Sequence, residues 1–451
     1  MTQLIKQGIA RLKWFFAQRS LSKSRFVIGF LGLFGSGLLP AVVHAQDVLD
    51  SGDTAWILVA TALVLLMTLP GLAFFYSGLV RSINVLSVMM QCCVVACVSS
   101  ILWLAVGYSI AFGDGGAANA WFGGFGKSFL IGVGVDDLTG TIPEVLFCLF
   151  QMTFAIIAPA LIIGAYVERI KFMHVVLFSG FWMLIVYAPV AHWIWGGGFL
   201  ADLGVLDFAG GLVVHATSAT AALVLVIMLG PRSGFSHGGS PPHNPGMTMA
   251  GAALLWVGWY GFNGGSALTA GGNAAMAVLV THISAAMAAL VWVVIENFRF
   301  GKSSLVGLVT GLIAGLASIT PASGFVGPVG GLAIGFAGGV VCYLAVDWVK
   351  VKLVIDDTLD VFAVHGVGGI LGTILTAIFG ATTFGGLGLE VSIGKQLVSQ
   401  LTGVVVTMAW TALGTWLIVL VVRKLVGLRV DPAEESEGLD YVAHGERGYH
   451  L

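Results

Sequence analysis

The sequence predicts an all-α polytopic membrane protein with eleven transmembrane helices. Of its 451 residues, 58% are hydrophobic and only 9% are charged, whereas soluble domains carry about 25% charged residues. The mean hydropathy is +0.98, which excludes a soluble globular protein. Backbone amides in hydrocarbon must find partners within the protein, so only a helical bundle or a closed barrel can span a membrane. Long uninterrupted apolar stretches favour the bundle.

The first 45 residues have the pattern of a secretory signal peptide. Six basic and no acidic residues occupy 1–25, an apolar stretch follows at 26–42, and Ala45 offers a small-residue cleavage site. An uncleaved first transmembrane helix is the alternative. We therefore expect three segments: a signal peptide (1–45), a transmembrane domain (46–425) and a cytoplasmic tail (426–451).

The transmembrane domain contains eleven apolar stretches that are each long enough to cross a bilayer. A crossing needs about 20 such residues. The predicted helices cover 54–80, 84–111, 143–166, 171–192, 211–230, 247–267, 274–296, 304–320, 326–348, 359–382 and 396–425.

The basic residues predict the orientation of these helices. Beyond the signal segment, twelve Lys and Arg residues fall on one side of the alternation, and only Lys127 and Lys395 fall on the other. Cytoplasmic flanks of membrane helices collect Lys and Arg. The N-terminus is therefore predicted outside the cell and the C-terminus inside.

Weak internal similarity suggests that the eleven helices comprise two inverted repeats of five, plus one. Residues 207–215 and 360–365, in the fifth and tenth predicted helices, both run from an aspartate to a histidine. Residues 72–78 and 258–264, in the first and sixth, resemble each other loosely. Five crossings reverse the chain direction, and transporters built this way place their pathway between the halves.

Three histidines lie well inside predicted helices. Ionisable side chains there cost roughly 2.5 to 3.5 kcal/mol each on insertion scales, so each needs a reason. His215 and His365 occupy matching repeat positions, and we expect the two imidazoles to meet at mid-membrane and share one proton. His282 has no repeat partner and is predicted to be structural. No Cys or carboxylate stands beside them at metal-ligand spacing, so no metal is expected.

Aromatic residues near the outer helix ends form a second group of candidates. Phe150 and Phe154 share one helix face, as do Phe262 and Ser266, and Trp195 ends the fourth helix. Taken singly, an interfacial belt or core packing explains each residue. Together, they can hold a small cation by cation–π attraction. Without a ring of carboxylates in the membrane, this arrangement favours a cation that can lose its charge.

Other classes of function fit poorly. The net charge is −2 and the transmembrane domain has no large basic block, which argues against nucleic acid as a partner. The sequence offers no nucleophile with a base and an orienting acid, and no ligand set for a metal or other cofactor, so we expect no enzyme and no cofactor.

Six segments resemble the signature blocks of the ammonium transporter family (Amt/Mep/Rh), specifically its bacterial Amt branch. They are FQMTFAIIAPALIIGAYVERIKF (150–172), AHWIWGGGFLADLGVLDFAGGLVVH (191–215), GWYGFNGGSA (258–267), TPASGFVGP (320–328), DDTLDVFAVHGVGGILGT (356–373) and GLDYVAHGERGY (438–449). The resemblance covers roughly residues 50–451. It implies an eleven-helix protomer with a pseudo-twofold inverted repeat, assembled as a homotrimer with one pore per subunit in the inner membrane.

The resemblance also implies roles for individual residues. The outer ammonium-recruitment site matches Phe150, Trp195 and Ser266. The phenyl gate matches Phe154 and Phe262, and the twin histidines match His215 and His365. The remaining matches are Asp207 as a buried structural and electrostatic acid, Tyr187 and Trp259 as the aromatic shell of the pore, and Gln151 and Thr320 as proton or water contacts.

The function implied by the resemblance is ammonium transport. Ammonium would bind at the outer site, lose a proton on desolvation and cross as ammonia past the histidines, with the proton relayed separately. An electroneutral channel for ammonia or carbon dioxide with the same fold is the alternative. Trp195 favours the Amt branch over Rh proteins, which generally lack this residue. The cytoplasmic face and tail resemble a docking surface for a PII-type regulatory protein.

Overall fold

The computed structural model describes residues 48–235, 241–389 and 392–449. The predicted signal peptide lies outside these residues and stays a prediction. The described chain is mostly helical, and its single sheet is a two-stranded antiparallel pair formed by β1 (Leu138–Thr139) and β2 (Ile142–Pro143).

Nine helices in the described part of the chain are long and apolar enough to cross a membrane. They are α1 (Ser51–Leu79), α2 (Ser82–Phe112), α3 (Glu144–Tyr166), α4 (Phe172–Asp202), α5 (Gly211–Leu229), α7 (Gly272–Phe300), α9 (Pro328–Lys352), α10 (Phe362–Phe379) and α11 (Ile393–Val426). Helices α6 (Pro245–Trp259, continued by a π turn at Tyr260–Gly264) and α8 (Leu305–Ile319) occupy the sixth and eighth predicted positions. All eleven predicted stretches are therefore helical, and the count of eleven crossings stays a prediction.

Partly buried ion pairs join several loops at one end of the bundle. The Glu168 carboxylate lies 3.2 Å from Nε of Arg81 and 3.0 Å from Nη1 of Arg232. Nε of Arg232 lies 3.0 Å from the Asp356 carboxylate. We call these four residues the charged lattice. Because they follow α1, α3, α5 and α9, the C-terminal ends of these helices share one end of the molecule.

The C-terminal tail folds back onto the charged lattice through two short helices, α12 (Pro432–Glu437) and α13 (Leu439–His444). Glu435 accepts hydrogen bonds from Nη2 of Arg429 at 2.8 Å and from the Ser233 amide at 2.7 Å. Asp440 accepts the Ser87 amide at 2.7 Å. The tail thus ties α11 to the start of α2 and to the loop after α5.

At the end of the bundle opposite the charged lattice, hydrogen bonds join three segments of the chain. The Asp50 amide donates to the Thr141 carbonyl at 2.9 Å. Asp53 accepts from the Thr141 hydroxyl at 2.5 Å and from the Ala270 amide at 2.7 Å. The start of α1, the segment before α3 and the segment before α7 therefore meet here. Following the predicted orientation, we call this end the outer end and the end with the charged lattice the inner end.

Small residues permit close helix packing in the second half of the bundle. A Cβ on Gly315 of α8 or on Gly335 of α9 would lie 2.5 Å from the Ser284 carbonyl oxygen of α7. Such approaches replace the hydrophobic driving force that is missing between helices in lipid. They hold α7, α8 and α9 together as a unit.

Candidate functional site

His215 and His365 meet inside the bundle. Their Nδ1 atoms lie 3.3 Å apart, and their rings are 5.2 Å apart at an interplanar angle of 22°. A hydrogen bond between two ring nitrogens needs one N–H and one lone pair, so the neutral pair shares a single proton between these atoms. Nε2 of His215 is buried and has no hydrogen-bond partner in the described part of the chain. This atom is available to a guest molecule.

The outer histidine is carried by a π turn, Gly211–Ala216, that begins α5. The Asp207 carboxylate lies eight residues before His215 and is 5% exposed. It accepts hydrogen bonds at 2.6–3.0 Å from four successive backbone amides, those of Gly210, Gly211, Leu212 and Val213. These are the amides that a helix start leaves without internal partners. Asp207 therefore stabilises the turn that places His215.

The inner histidine is carried in the same way. His365 lies in the π turn Phe362–Gly366, and the Asp357 carboxylate accepts the amides of Val361 at 3.0 Å and Phe362 at 2.7 Å. The repeat register therefore differs from the predicted one, which paired Asp207 with Asp360. Asp360 instead lies 2.8 Å from Nζ of Lys350. The signal that finds Asp357 is the equal spacing, since each acid stands eight residues before its histidine.

A narrow cavity surrounds the histidine pair. Apart from the two imidazoles and the Trp259 indole, its lining is apolar and consists of Met67, Leu72, Phe75, Ile157, Leu161, Val214, Leu255, Phe262 and Ile313. No carboxylate stands in this lining to balance a positive charge. A permanent cation in such surroundings would lose its hydration without compensation, which is costly.

Two phenyl rings close the cavity towards the outer end. The rings of Phe154 and Phe262 lie 4.3 Å apart at 31°, and both side chains are almost fully buried. The Phe262 ring also lies 6.1 Å from the His215 ring. The structure therefore brings together the two residues predicted as a gate and places them directly beside the histidine pair.

Trp195 and Phe150 flank the phenyl pair. The Phe154 ring lies 5.8 Å from Trp195, edge to face, and 5.1 Å from Phe150. Trp195 follows Ile194, where α4 breaks, and its indole N–H donates to the Asp207 carbonyl at 2.8 Å. Asp207 thus orients Trp195 through its backbone and His215 through its side chain.

Ser266 completes the outer group in the turn after α6. Its hydroxyl donates to the Phe262 carbonyl at 2.8 Å, which leaves the oxygen lone pairs free to accept from a guest. A Cβ on the neighbouring Gly265 would lie 2.8 Å from the Phe150 ring. The glycine is needed because it allows Phe150 to approach the turn that carries the serine.

Of the remaining predicted site residues, one lines the cavity and the others are absent from its lining. Trp259 lines the cavity, whereas Tyr187 is absent from its lining and packs against Trp103 at 6.2 Å. The Tyr187 hydroxyl and the Gln151 side-chain oxygen are buried without hydrogen-bond partners in the described residues. The Thr320 hydroxyl accepts the Trp259 indole N–H at 2.9 Å.

His282 stands apart from the pathway. Its Nδ1 lies 2.7 Å from the Tyr260 hydroxyl, its ring stacks on Trp256 at 5.0 Å, and it faces outward from α7. The described residues contain no group of three or more His, Cys, Asp or Glu that could hold a metal ion.

The chain is similar to known proteins both in sequence and in fold. A sequence profile of the Ammonium Transporter Family matches residues 55–449. A putative ammonium transporter of Methanothermobacter thermautotrophicus is 47% identical over 415 residues, covering 89% of this chain and 99% of the relative. An ammonium transporter of Aquifex aeolicus is 44% identical over 429 residues, covering 94% and 99%. A solved structure described as a sensor Amt protein is 32% identical with a TM-score of 0.82, covering 88% of this chain and 98% of that one.

Proposed function

The chain belongs to the ammonium transporter family, and from that premise we propose that it takes up ammonium at the outer end, removes a proton and conducts ammonia past His215 and His365. It is a multi-pass membrane transporter and not an enzyme. The observation that carries the mechanism is the histidine pair, whose Nδ1 atoms lie 3.3 Å apart in an apolar cavity.

Recruitment takes place at Trp195, Phe150 and Ser266. Aromatic faces attract a cation by up to about 2 kcal/mol when water is displaced, and Trp195 is oriented for this by its bond to the Asp207 carbonyl. The Ser266 oxygen accepts one N–H of ammonium, since its own hydrogen is engaged by Phe262. Rings and hydroxyl together replace part of the hydration shell of the cation.

Selection takes place where Phe154 and Phe262 separate the outer site from the cavity. Passage requires these rings to move apart, and beyond them no carboxylate lines the path. Desolvation disfavours the charged form of an ionisable group, so ammonium gives up its proton and continues as ammonia. Potassium has a similar size but no proton to lose, and it is stopped at this step.

The histidine pair receives the neutral guest. Because one imidazole donates through Nδ1 and the other accepts, one Nε2 is a lone pair and the other is an N–H. Ammonia accepts from the N–H and donates to the lone pair. Ammonium gives its proton to the Nε2 lone pair, the shared proton then moves to the other Nδ1 atom, and the second ring releases its Nε2 proton towards the inner end. These three transfers leave both rings neutral with their roles exchanged, which provides a relay for the proton separated from ammonium.

The proposal also covers the orientation of the protein in the membrane, its oligomeric state and a regulatory partner. The charge asymmetry of the loops supports an N-terminus outside and a C-terminus inside. The inner-membrane location and the homotrimer follow from the family resemblance alone. The tail helices α12 and α13 pack at the inner end through Glu435 and Asp440. A PII-type regulatory protein would meet the pore on this face.

The proposal is tested by current from the purified protein in liposomes on a solid-supported membrane. An ammonium pulse is expected to evoke a current and a potassium pulse none. His215→Ala is expected to remove the ammonium current or to admit potassium. The matched control is His282→Ala, since this histidine lies outside the pathway and should behave like the wild type.

Each outcome decides between mechanisms. A potassium current through the wild-type protein contradicts selection by deprotonation. Ammonia uptake without current supports the electroneutral channel instead. For the roles of the pair, unchanged flux and unchanged selectivity in His365→Asp would show that the histidines are only structural.

A further inference from the structure

Thr320 lies directly after α8 and is fully buried. Its hydroxyl donates to the Leu316 carbonyl at 2.7 Å and accepts the Trp259 indole N–H at 2.9 Å. A threonine hydroxyl has a single hydrogen. Because that hydrogen is already donated to Leu316, Thr320 has none to offer to a guest or to a proton relay.

The partner of Thr320 is the ring that packs on the outer histidine. The Trp259 indole lies 5.5 Å from the His215 ring at 22°, and Trp259 is 1% exposed. Phe262 packs on His215 less closely, at 6.1 Å. The ring contacts found for His365 in the described residues comprise only His215. The aromatic support of the pair is therefore confined to His215.

The hydrogen bond from Thr320 fixes the orientation of that support. The indole N–H is the only polar group of a tryptophan, and a buried donor seeks an acceptor. Without the Thr320 oxygen, Trp259 gains by turning towards another acceptor, which removes its face from His215. A ring face beside an imidazole also favours positive charge on that imidazole, so a turned indole changes how the pair handles a proton.

We propose that Thr320 is a positioning residue for transport, which clamps the Trp259 indole against His215 and thereby sets the geometry of the histidine pair. The inference rests on the proposed function and deepens it. It differs from the role implied by family resemblance, in which Thr320 contacts a proton or water itself.

The experiment is a double-mutant cycle on reconstituted protein, with ammonium current, ammonium-over-potassium selectivity and the pH profile of the current as readouts. Thr320→Val keeps the side-chain shape and removes the acceptor. It is expected to lower the current about tenfold, the lower end of the loss seen when a hydrogen bond that orients a metal-ligating side chain is removed. Thr320→Ser keeps the hydroxyl and should match the wild type.

Trp259→Phe supplies the other side of the cycle, because it removes the indole N–H and keeps an aromatic ring. If Thr320 acts through that N–H, adding Thr320→Val to Trp259→Phe causes little further loss. The matched control is Thr376→Val. The Thr376 hydroxyl is also buried and donates to the Gly372 carbonyl of its own helix at 2.8 Å. Unlike the Thr320 hydroxyl, it accepts no hydrogen bond from a side chain of the described residues.

Additive losses in the double mutant overturn the proposal, as does a Thr320→Val protein with normal current and pH profile. If Thr320→Val alone fails to fold, the clamp predicts that Trp259→Phe restores folding, since no donor is then left unpaired, and failure to restore it counts against the clamp. Absence of ammonium current in the wild type refutes the proposed function itself. Wild-type current with an unaltered Thr320→Val refutes only the clamp.

Discussion

The outer and inner halves of the pore carry the same histidine unit in different surroundings. In each half an acidic residue accepts backbone amides of a π turn, and a histidine follows eight residues after the acid. Around His215 the surroundings are rings and backbone hydrogen bonds. Beneath His365 they are charges, including Lys350 and Asp360.

This difference shows which parts of a duplicated unit can diverge. The geometry from acid to turn to histidine is kept in both halves because it places the imidazoles. The surroundings differ with the task of each end. Aromatic faces stand where the proposed mechanism takes a cation from water, and the charged lattice stands where the tail folds back.

The largest effect on the free energy of unfolding is expected because the two acids accept hydrogen bonds from unequal numbers of backbone amides. Asp207→Ala leaves four buried amides without an acceptor, whereas Asp357→Ala leaves two. An unsatisfied buried donor costs about 1–3 kcal/mol, so Asp207→Ala should be the more destabilising by at least about 2 kcal/mol. Denaturant unfolding of the purified proteins in detergent measures this. Asp360→Ala is the control, and equal losses for Asp207 and Asp357 would break the comparison.

The next prediction concerns Glu168 of the charged lattice, which should affect stability without affecting selectivity. Burial raises the pKa of Glu168, but Arg232 and then Arg81 more than offset this and hold it below its usual value. Glu168→Gln leaves both arginines without their shared carboxylate, which costs about 3 kcal/mol for buried pairs. The free energy of unfolding should fall by that amount while ammonium-over-potassium selectivity stays unchanged.

The control for this effect is an exposed pair, Arg299 with Asp347, whose nitrogen and oxygen lie 2.5 Å apart. Asp347→Asn should cost no more than about 1 kcal/mol, because surface pairs are weak. The wild-type contribution of Glu168 should disappear on acidification, as the pH falls below the usual 4.5 through the lowered pKa. Lost selectivity in Glu168→Gln would mean that the lattice acts on the pore itself.

A smaller effect is expected from the rings on the outer histidine. Among the ring contacts of the described residues, His215→Ala loses those with Trp259 and Phe262 in addition to its partner, whereas His365→Ala loses the one with its partner. Each aromatic contact contributes about 0.5–1.5 kcal/mol beyond its area. His215→Ala should therefore have a free energy of unfolding about 1–3 kcal/mol lower than that of His365→Ala. Thermal unfolding of the two variants side by side measures the gap, and its absence would mean that the rings add nothing to stability.

Much of the helical framework could be predicted because apolar length alone determines it. The stretch 211–230 became α5 (Gly211–Leu229), and the others agree within a few residues at most ends. The predicted stretch 171–192 is shorter than α4. Three glycines at 196–198 interrupt this helix, and it resumes at Phe199–Asp202. The sequence also predicted that His215 and His365 would be neighbours, on the basis of repeat symmetry.

Contacts that depend on tertiary geometry could not be predicted from the residues. The bond between Trp259 and Thr320 joins positions 61 apart in sequence, and no periodicity signals it. Asp357 was missed for another reason. Asp360 gives the shorter motif in the sequence, although the equal eight-residue spacing points to Asp357. The π turn places Asp357, not Asp360, where it reaches the free amides.

The smallest expected effect concerns the pH dependence of stability that the inner acid, Asp357, contributes. Burial, and then the charge of Asp360, raise the pKa of Asp357 from its usual 3.8 to about 6. The folded protein therefore binds this proton more tightly than the unfolded chain does, and the free energy of unfolding rises as the pH falls through 6 towards 4. From pH 7.5 to pH 5, the gain from this group is about 1 kcal/mol.

Asp357→Asn isolates this contribution because asparagine does not titrate and every other group is retained. The stability of the wild type relative to Asp357→Asn should therefore increase between pH 7.5 and pH 5, by thermal or denaturant unfolding. The control is Asp360→Asn, which removes the neighbouring charge and should shift the same transition in Asp357 to lower pH. A constant difference between wild type and Asp357→Asn across this range would mean that the inner acid keeps an ordinary pKa.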